Sequence, residues 1–204
     1  METAFSRTAR FWAALVSFIA IISLVAQSVG NLERDGTMLA AWSAMLQWFT
    51  IWGNVAAGVF FGWIALRGRI EPRIPFALAA ALIIIAAVYH ILLASAHDPQ
   101  GVDWWTNIAH HTLVPAGGVL WWLVFSRDGL AGWRSLPIVM LVPVVYGGFA
   151  LVNGALTGFY PYFFLDQPSL GLGTVLLNMV GLAVLFLLVA ALLLAMRRLI
   201  RVRA

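Results

Sequence analysis

The chain has 204 residues, of which 63% are hydrophobic and 10% are charged. A soluble domain of this size carries about 25% charged residues, and its surface is too large for a core to hide the deficit; a hydrocarbon solvent accounts for it directly. The net charge is +4, with twelve basic residues that are all arginine and no cysteine, which excludes disulfides, thiolate catalysis and cysteine-bound metal.

The arginines occupy short gaps between apolar runs, not one face of a domain. They read as topology signals and not as a stripe for nucleic acid. Arg7 and Arg10 precede the apolar run Phe11 to Ala26. That run is at the long end for a signal peptide, whose core is roughly 7–15 residues, so it reads as an uncleaved first span.

A spanning helix needs about 20 mostly apolar residues, and six segments qualify, at about 9–28, 42–66, 74–95, 105–125, 136–157 and 172–196. The fold class is therefore all-α, a polytopic transmembrane bundle of six helices forming a single integral membrane domain. Open strands are not an option in lipid, and the runs are too long and continuous for barrel strands. Asn31 to Gly36, Arg67 to Pro75, His97 to Asp103, Ser126 to Pro137 and Pro161 to Ser169 form the breaks.

The loop charges give the orientation. Arg7, Arg10, Arg67, Arg69, Arg73, Arg127, Arg134, Arg197, Arg198, Arg201 and Arg203 fall on one side, and Arg34 alone on the other. The arginine-rich side is cytoplasmic, which puts both termini in the cytoplasm and the protein in the cell membrane. Tryptophans favour the interfaces: Trp42, Trp104 and Trp105 mark the outer one, and Trp12, Trp63, Trp121, Trp122 and Trp133 the inner. Gly58 with Gly62, and Gly154 with Gly158, form GxxxG pairs. They permit close helix packing within the bundle; a homodimer seam is the other reading.

Polar side chains inside spans are costly and are functional candidates by default. At a rise of about 1.5 Å per residue, Thr50 lies about 12 Å below Trp42 and His111 about 9 Å below Trp105. His90 and Asn153 fall near the same level on two further helices, so the expectation is a polar pocket in the outer half of the bilayer. Residues i and i+4 share a helix face, which pairs Thr50 with Asn54 and Asn107 with His111, and puts His110 with Thr106.

Three readings of this cluster compete. In one, Thr50 is a nucleophile, His111 its general base, and Asn107 holds the imidazole. Asn54, Asn153 or a tyrosine then donates to an oxyanion, and the reaction is hydrolysis of an apolar ester entering from the lipid bilayer. In the second, His90, His110 and His111 bind a metal or haem; adjacent histidines diverge on a helix, which argues against it. In the third, the pocket binds a ligand or relays protons in a transporter. Each residue also has a plain structural reading, such as a satisfied interhelical hydrogen bond or a threonine bonded to its own helix.

Three patches carry a resemblance to a known family. They are Phe49-Thr50 with Phe60-Phe61-Gly62, then Trp105-Thr106-Asn107-Ile108-Ala109-His110-His111-Thr112 with Pro115, and Thr157-Gly158-Phe159-Tyr160-Pro161-Tyr162-Phe163-Phe164-Leu165. In order and spacing the chain resembles the androgen-induced gene one family, which includes the androgen-dependent regulator of tissue factor pathway inhibitor, and its bacterial six-span relatives. The animal members are multi-pass threonine hydrolases of fatty acid esters of hydroxy fatty acids. The resemblance implies Thr50 as catalytic threonine and His111 as catalytic histidine, with no cofactor and no metal. It implies supporting or substrate-binding roles around them, for which Asn54, His90, Asn107, His110, Asn153 and Tyr160 are the candidates. A second histidine, His110, beside the catalytic one and a short loop between the second and third spans set this chain apart from the animal proteins.

Overall fold

The structure, a computed structural model, describes residues 3–126 and 132–202. Arg127 and Arg203, two of the arginines assigned to the cytoplasmic side, lie outside the described residues, as does part of the break from Ser126 to Pro137. The fold is all-α. Among the described residues six helices are long and apolar enough to cross a membrane: Arg7–Asp35, Phe49–Arg67, Arg73–Ala96, Val102–Phe125, Trp133–Thr157 and Leu172–Ile200. The chain forms two compact units, Met1–Gly132 and Trp133–Ala204.

In the first unit, α1 (Arg7–Asp35) starts where the Ser6 side chain accepts from the Ala9 amide at 3.2 Å, a common N-cap. It runs past the expected end near residue 28 and stops at Gly36, whose φ of 76° suits glycine. Asn31 to Asp35 are therefore helical. Its buried stripe is small, with Ala9, Ala13, Ser17 and Ala20, while Phe11, Phe18 and Ile22 are exposed. Small residues inside and large apolar ones outside are what a helix in lipid requires. The stripe receives α3 (Phe49–Arg67): a Cβ at Gly58 would stand 3.1 Å from Ile21, and one at Gly62 would stand 3.0 Å from the Ser17 hydroxyl. Ser17 also donates to the Gly58 carbonyl at 2.7 Å. The first GxxxG pair is thus a seam within the chain.

The second span differs from expectation. Residues 42–66 are not one helix. A short α2 (Met38–Met45) ends first, the chain turns through Leu46 to Trp48, and α3 begins at Phe49. The Trp52 indole donates to the Leu46 carbonyl at 2.7 Å and holds the turn. The depth of Thr50 measured down a helix from Trp42 therefore does not apply: Thr50 is the second residue of α3.

At the other end of α3, the Arg10 guanidinium donates to the carbonyls of Ala65 and Leu66 at 2.9 and 3.0 Å, a cation at a helix C-terminus. There β1 (Thr3–Ala4) pairs antiparallel with β2 (Arg69–Ile70). Next comes α4 (Arg73–Val88), buried without a break from Pro75 to Leu82. A helix apolar all round and covered all round is a core helix. It continues through a wide π-turn, Tyr89–Leu93, to Ala96. The last span of the unit is α5 (Val102–Ile108), a second π-turn at Ala109–Leu113, and α6 (Val114–Phe125). The Trp121 indole donates to the Ala9 carbonyl at 2.8 Å and ties α6 to α1.

In the second unit, α7 (Leu136–Thr157) packs on α9 (Leu172–Val202), Gly147 leaving room for the Met179 side chain. The short α8 (Gln167–Leu170) lies between them in sequence, capped by Asp166. The second GxxxG pair is no helix seam. Gly154 takes the Tyr160 ring, and Gly158, with φ 76°, ends α7.

Candidate active site

Local backbone geometry explains how the second π-turn presents its side chains. The Val114 amide bonds the Ala109 carbonyl and not that of His110. The next residue is Pro115, which has no N–H to offer. The His110 carbonyl is thus left without a helical donor, and the Asn54 side-chain amide supplies one at 3.2 Å. The same amide donates to the Thr50 carbonyl at 2.8 Å. Asn54 is fully buried, so α3 and the π-turn are locked together at this point.

That lock brings Thr50 and His111 together. The Thr50 Oγ1 lies 3.3 Å from His111 Nε2, and both side chains are half-buried. On the far side of the ring, Nδ1 lies 3.1 Å from the Asn107 backbone carbonyl. A carbonyl only accepts, so Nδ1 carries the proton and Nε2 turns its lone pair to the hydroxyl. Thr50 is in the first turn of α3, which begins after Trp48. Within that turn the Ile51 amide bonds the Trp48 carbonyl at 3.1 Å.

Tyr89, at the start of the other π-turn, stacks on the His111 ring with centroids 3.8 Å apart and planes inclined by 16°. Its hydroxyl accepts from Asn107 Nδ2 at 2.6 Å and lies 3.3 Å from His97 Nδ1. Having accepted from Asn107, the phenol has its own proton free to donate to His97.

Several expected roles change in detail. Asn107 holds His111 through its main chain, while its side-chain amide serves Tyr89. The two N–H bonds of the Asn54 amide go to backbone carbonyls, so that group is not free to donate to an oxyanion. His110 does not pair with Thr106: the Thr106 hydroxyl donates to Gln27, and the buried His110 Nε2 meets no partner among the described residues. His90 is exposed, its Nε2 3.1 Å from the Thr112 hydroxyl. Among the described residues no three His, Asp or Glu side chains gather as a metal site. In the second unit, Asn153 donates to the Phe159 carbonyl at 3.3 Å and its own carbonyl accepts from Thr157 at 2.8 Å, both closing the end of α7. Tyr160 lies against Gly154 in the same turn.

Tyr89 counts among the polar side chains of the third span, but the sequence assigns it no role at the site, and His97 reads only as part of a break. Both are ordinary span and loop residues in the sequence, and no spacing rule places a phenol over an imidazole on another helix. Pro115 was the available clue, since a proline six positions beyond Ala109 leaves an upstream carbonyl short of a donor.

No protein-family model matches the chain, and no curated protein or solved structure does.

Proposed function

We propose that the protein is an intramembrane hydrolase of lipid esters, with Thr50 as nucleophile and His111 as general base. The observation that carries this reading is the hydroxyl 3.3 Å from Nε2 of an imidazole whose Nδ1 is held on a carbonyl. A neutral hydroxyl attacks poorly until a positioned base removes its proton, and this tautomer leaves the required lone pair on the required nitrogen.

In the proposed reaction, Thr50 Oγ1 adds to the ester carbonyl carbon while its proton passes to His111 Nε2. In this reading the oxyanion forms near the N-terminal end of α3, whose positive helix end favours negative charge. Collapse breaks the carbon–oxygen bond to the alcohol, which leaves with the proton from Nε2. Water then repeats the sequence on the acyl-threonine and releases the fatty acid. The substrate is an apolar ester arriving sideways from the bilayer. Large apolar side chains exposed on the spans, among them Leu92, Leu113 and Trp105, suit such an approach.

This reading agrees with the resemblance to the androgen-induced gene one family. It places the protein in the cell membrane, with both termini cytoplasmic by the arginine distribution. The test is hydrolysis of long-chain fluorogenic esters by the purified protein in proteoliposomes, with labelling by a fluorophosphonate probe. Turnover and labelling lost together in Thr50→Ala support the reading, and turnover unaffected in both Thr50→Ala and His111→Ala ends it. Substrate-dependent flux without hydrolysis would point to transport instead.

A further inference from the structure

Among the described residues His111 has no acidic hydrogen-bond partner. Its contacts among the described residues are the Thr50 hydroxyl, the Asn107 carbonyl and the Tyr89 ring. A base that takes a proton becomes a cation, and a cation in apolar surroundings is costly unless something compensates it. In triad hydrolases a carboxylate does this and also fixes the ring. Here both tasks fall to other groups.

The carbonyl of Asn107 fixes Nδ1. What remains is the charge and the tilt of the ring, and both are met by one side chain. Tyr89 lies face to face with the imidazole at 3.8 Å, inside the roughly 6 Å over which an aromatic face attracts a cation. The attraction grows as the proton arrives, so it favours the transition state over the resting enzyme. The Tyr89 ring is itself held, through its hydroxyl, by Asn107 at 2.6 Å and His97 at 3.3 Å. The two wide turns are joined a second time beside it, where His90 meets the Thr112 hydroxyl at 3.1 Å.

We infer that Tyr89 is a positioning residue standing in for the acidic member of a triad, its π-face steadying the imidazolium of His111. This rests on the hydrolase reading above. The chain uses an aromatic face where water-soluble hydrolases use a carboxylate, and so avoids burying a second charge.

The test uses the full chain in proteoliposomes with Tyr89→Phe and Tyr89→Leu. Phenylalanine keeps the face and leucine removes it. The expected result is kcat within about threefold of the parent for Tyr89→Phe, and a fall of about 10–30-fold for Tyr89→Leu with KM little changed. A ring that only fills space would cost thermal stability while leaving kcat below the melting range intact. Full kcat in Tyr89→Leu, or equal losses in both variants, overturns the inference. A second readout is independent of turnover: side-chain nitrogen NMR of the labelled histidines. The Asn107 carbonyl holds Nδ1 only while the ring keeps its tilt, so His111 should show one tautomer, protonated on Nδ1, in the parent and in Tyr89→Phe, and a mixture in Tyr89→Leu, where the ring is free to turn off the carbonyl. If the parent hydrolyses nothing, the hydrolase reading fails while the NMR comparison still decides on Tyr89: an unchanged His111 signal in Tyr89→Leu overturns its positioning role, and a mixed one sustains it.

Discussion

Asn54 donates its side-chain amide to the His110 carbonyl at 3.2 Å, the carbonyl that the π-turn and Pro115 leave without a helical donor. Since the amide also holds the Thr50 carbonyl, one buried group sets the spacing between the backbone of the hydroxyl and that of the imidazole. The distance between Thr50 and His111 is thereby a property of the helix packing and not of the two side chains alone.

Asn54→Leu should therefore damage both stability and turnover. The buried His110 carbonyl loses its donor, at a cost of about 1–3 kcal/mol when left unmet, and the part-buried Thr50 carbonyl loses a second bond. The expected outcome is a lower melting temperature in detergent and a drop in kcat of at least about tenfold. A variant that melts lower yet turns over at the parent rate would show that the lock does not set the reacting geometry.

His111→Ala removes the proposed base. A positioned general base contributes about 10²–10⁴-fold, so kcat should fall by that amount with the protein still folded, because the ring is only half-buried. Thr50→Ser keeps a hydroxyl and should keep measurable turnover, whereas Thr50→Ala should not. Ester hydrolysis assays on the four proteins decide it.

Asn107→Ala separates main chain from side chain. The carbonyl that fixes His111 survives this change, and only the contact to the Tyr89 hydroxyl is lost. Turnover should drop by less than about tenfold, the worth of one modest hydrogen bond. A loss as large as that of His111→Ala would mean that the amide, not the carbonyl, orients the ring.

Gly62→Leu tests the seam between α1 and α3. The new side chain would run into the Ser17 hydroxyl, whose Oγ stands 3.0 Å from the position of a Cβ. Overpacking of this kind costs about 1–3 kcal/mol, so yield and melting temperature should fall. The oligomeric state by crosslinking should not change, because the seam lies within one chain.

Much of this fold was written in apolar run lengths. The fifth and sixth spans begin at Leu136 and Leu172, as the sequence suggests, because proline or glycine marks the breaks before them. The end of α2 was not legible. Leu46 to Trp48 lies within an apolar run and holds no glycine or proline; the turn is made by tertiary contacts, among them the packing of Met45 with Leu24 and Ile51 and the Trp52 indole on Leu46. At the site, helix spacing put Asn107 beneath His111 but could not tell its carbonyl from its amide. Nor could any periodicity based on regular α-helix anticipate the two π-turns, which shift faces by contacts formed only after packing.

The wide turn at Ala109–Leu113 is also the place where this helix absorbs a change of length. It takes up one residue more than regular winding would, and the segments before and after it are in phase with different neighbours: Thr106 with Gln27 upstream, Trp121 with Ala9 downstream. Deleting a single residue there would rewind the segment as plain α-helix with both halves still in phase, whereas deleting one elsewhere between the anchors would swing one half about 100° against the other. Side chains along the helix can be exchanged one at a time, but its residue count between those two anchors can fall only at the wide turn.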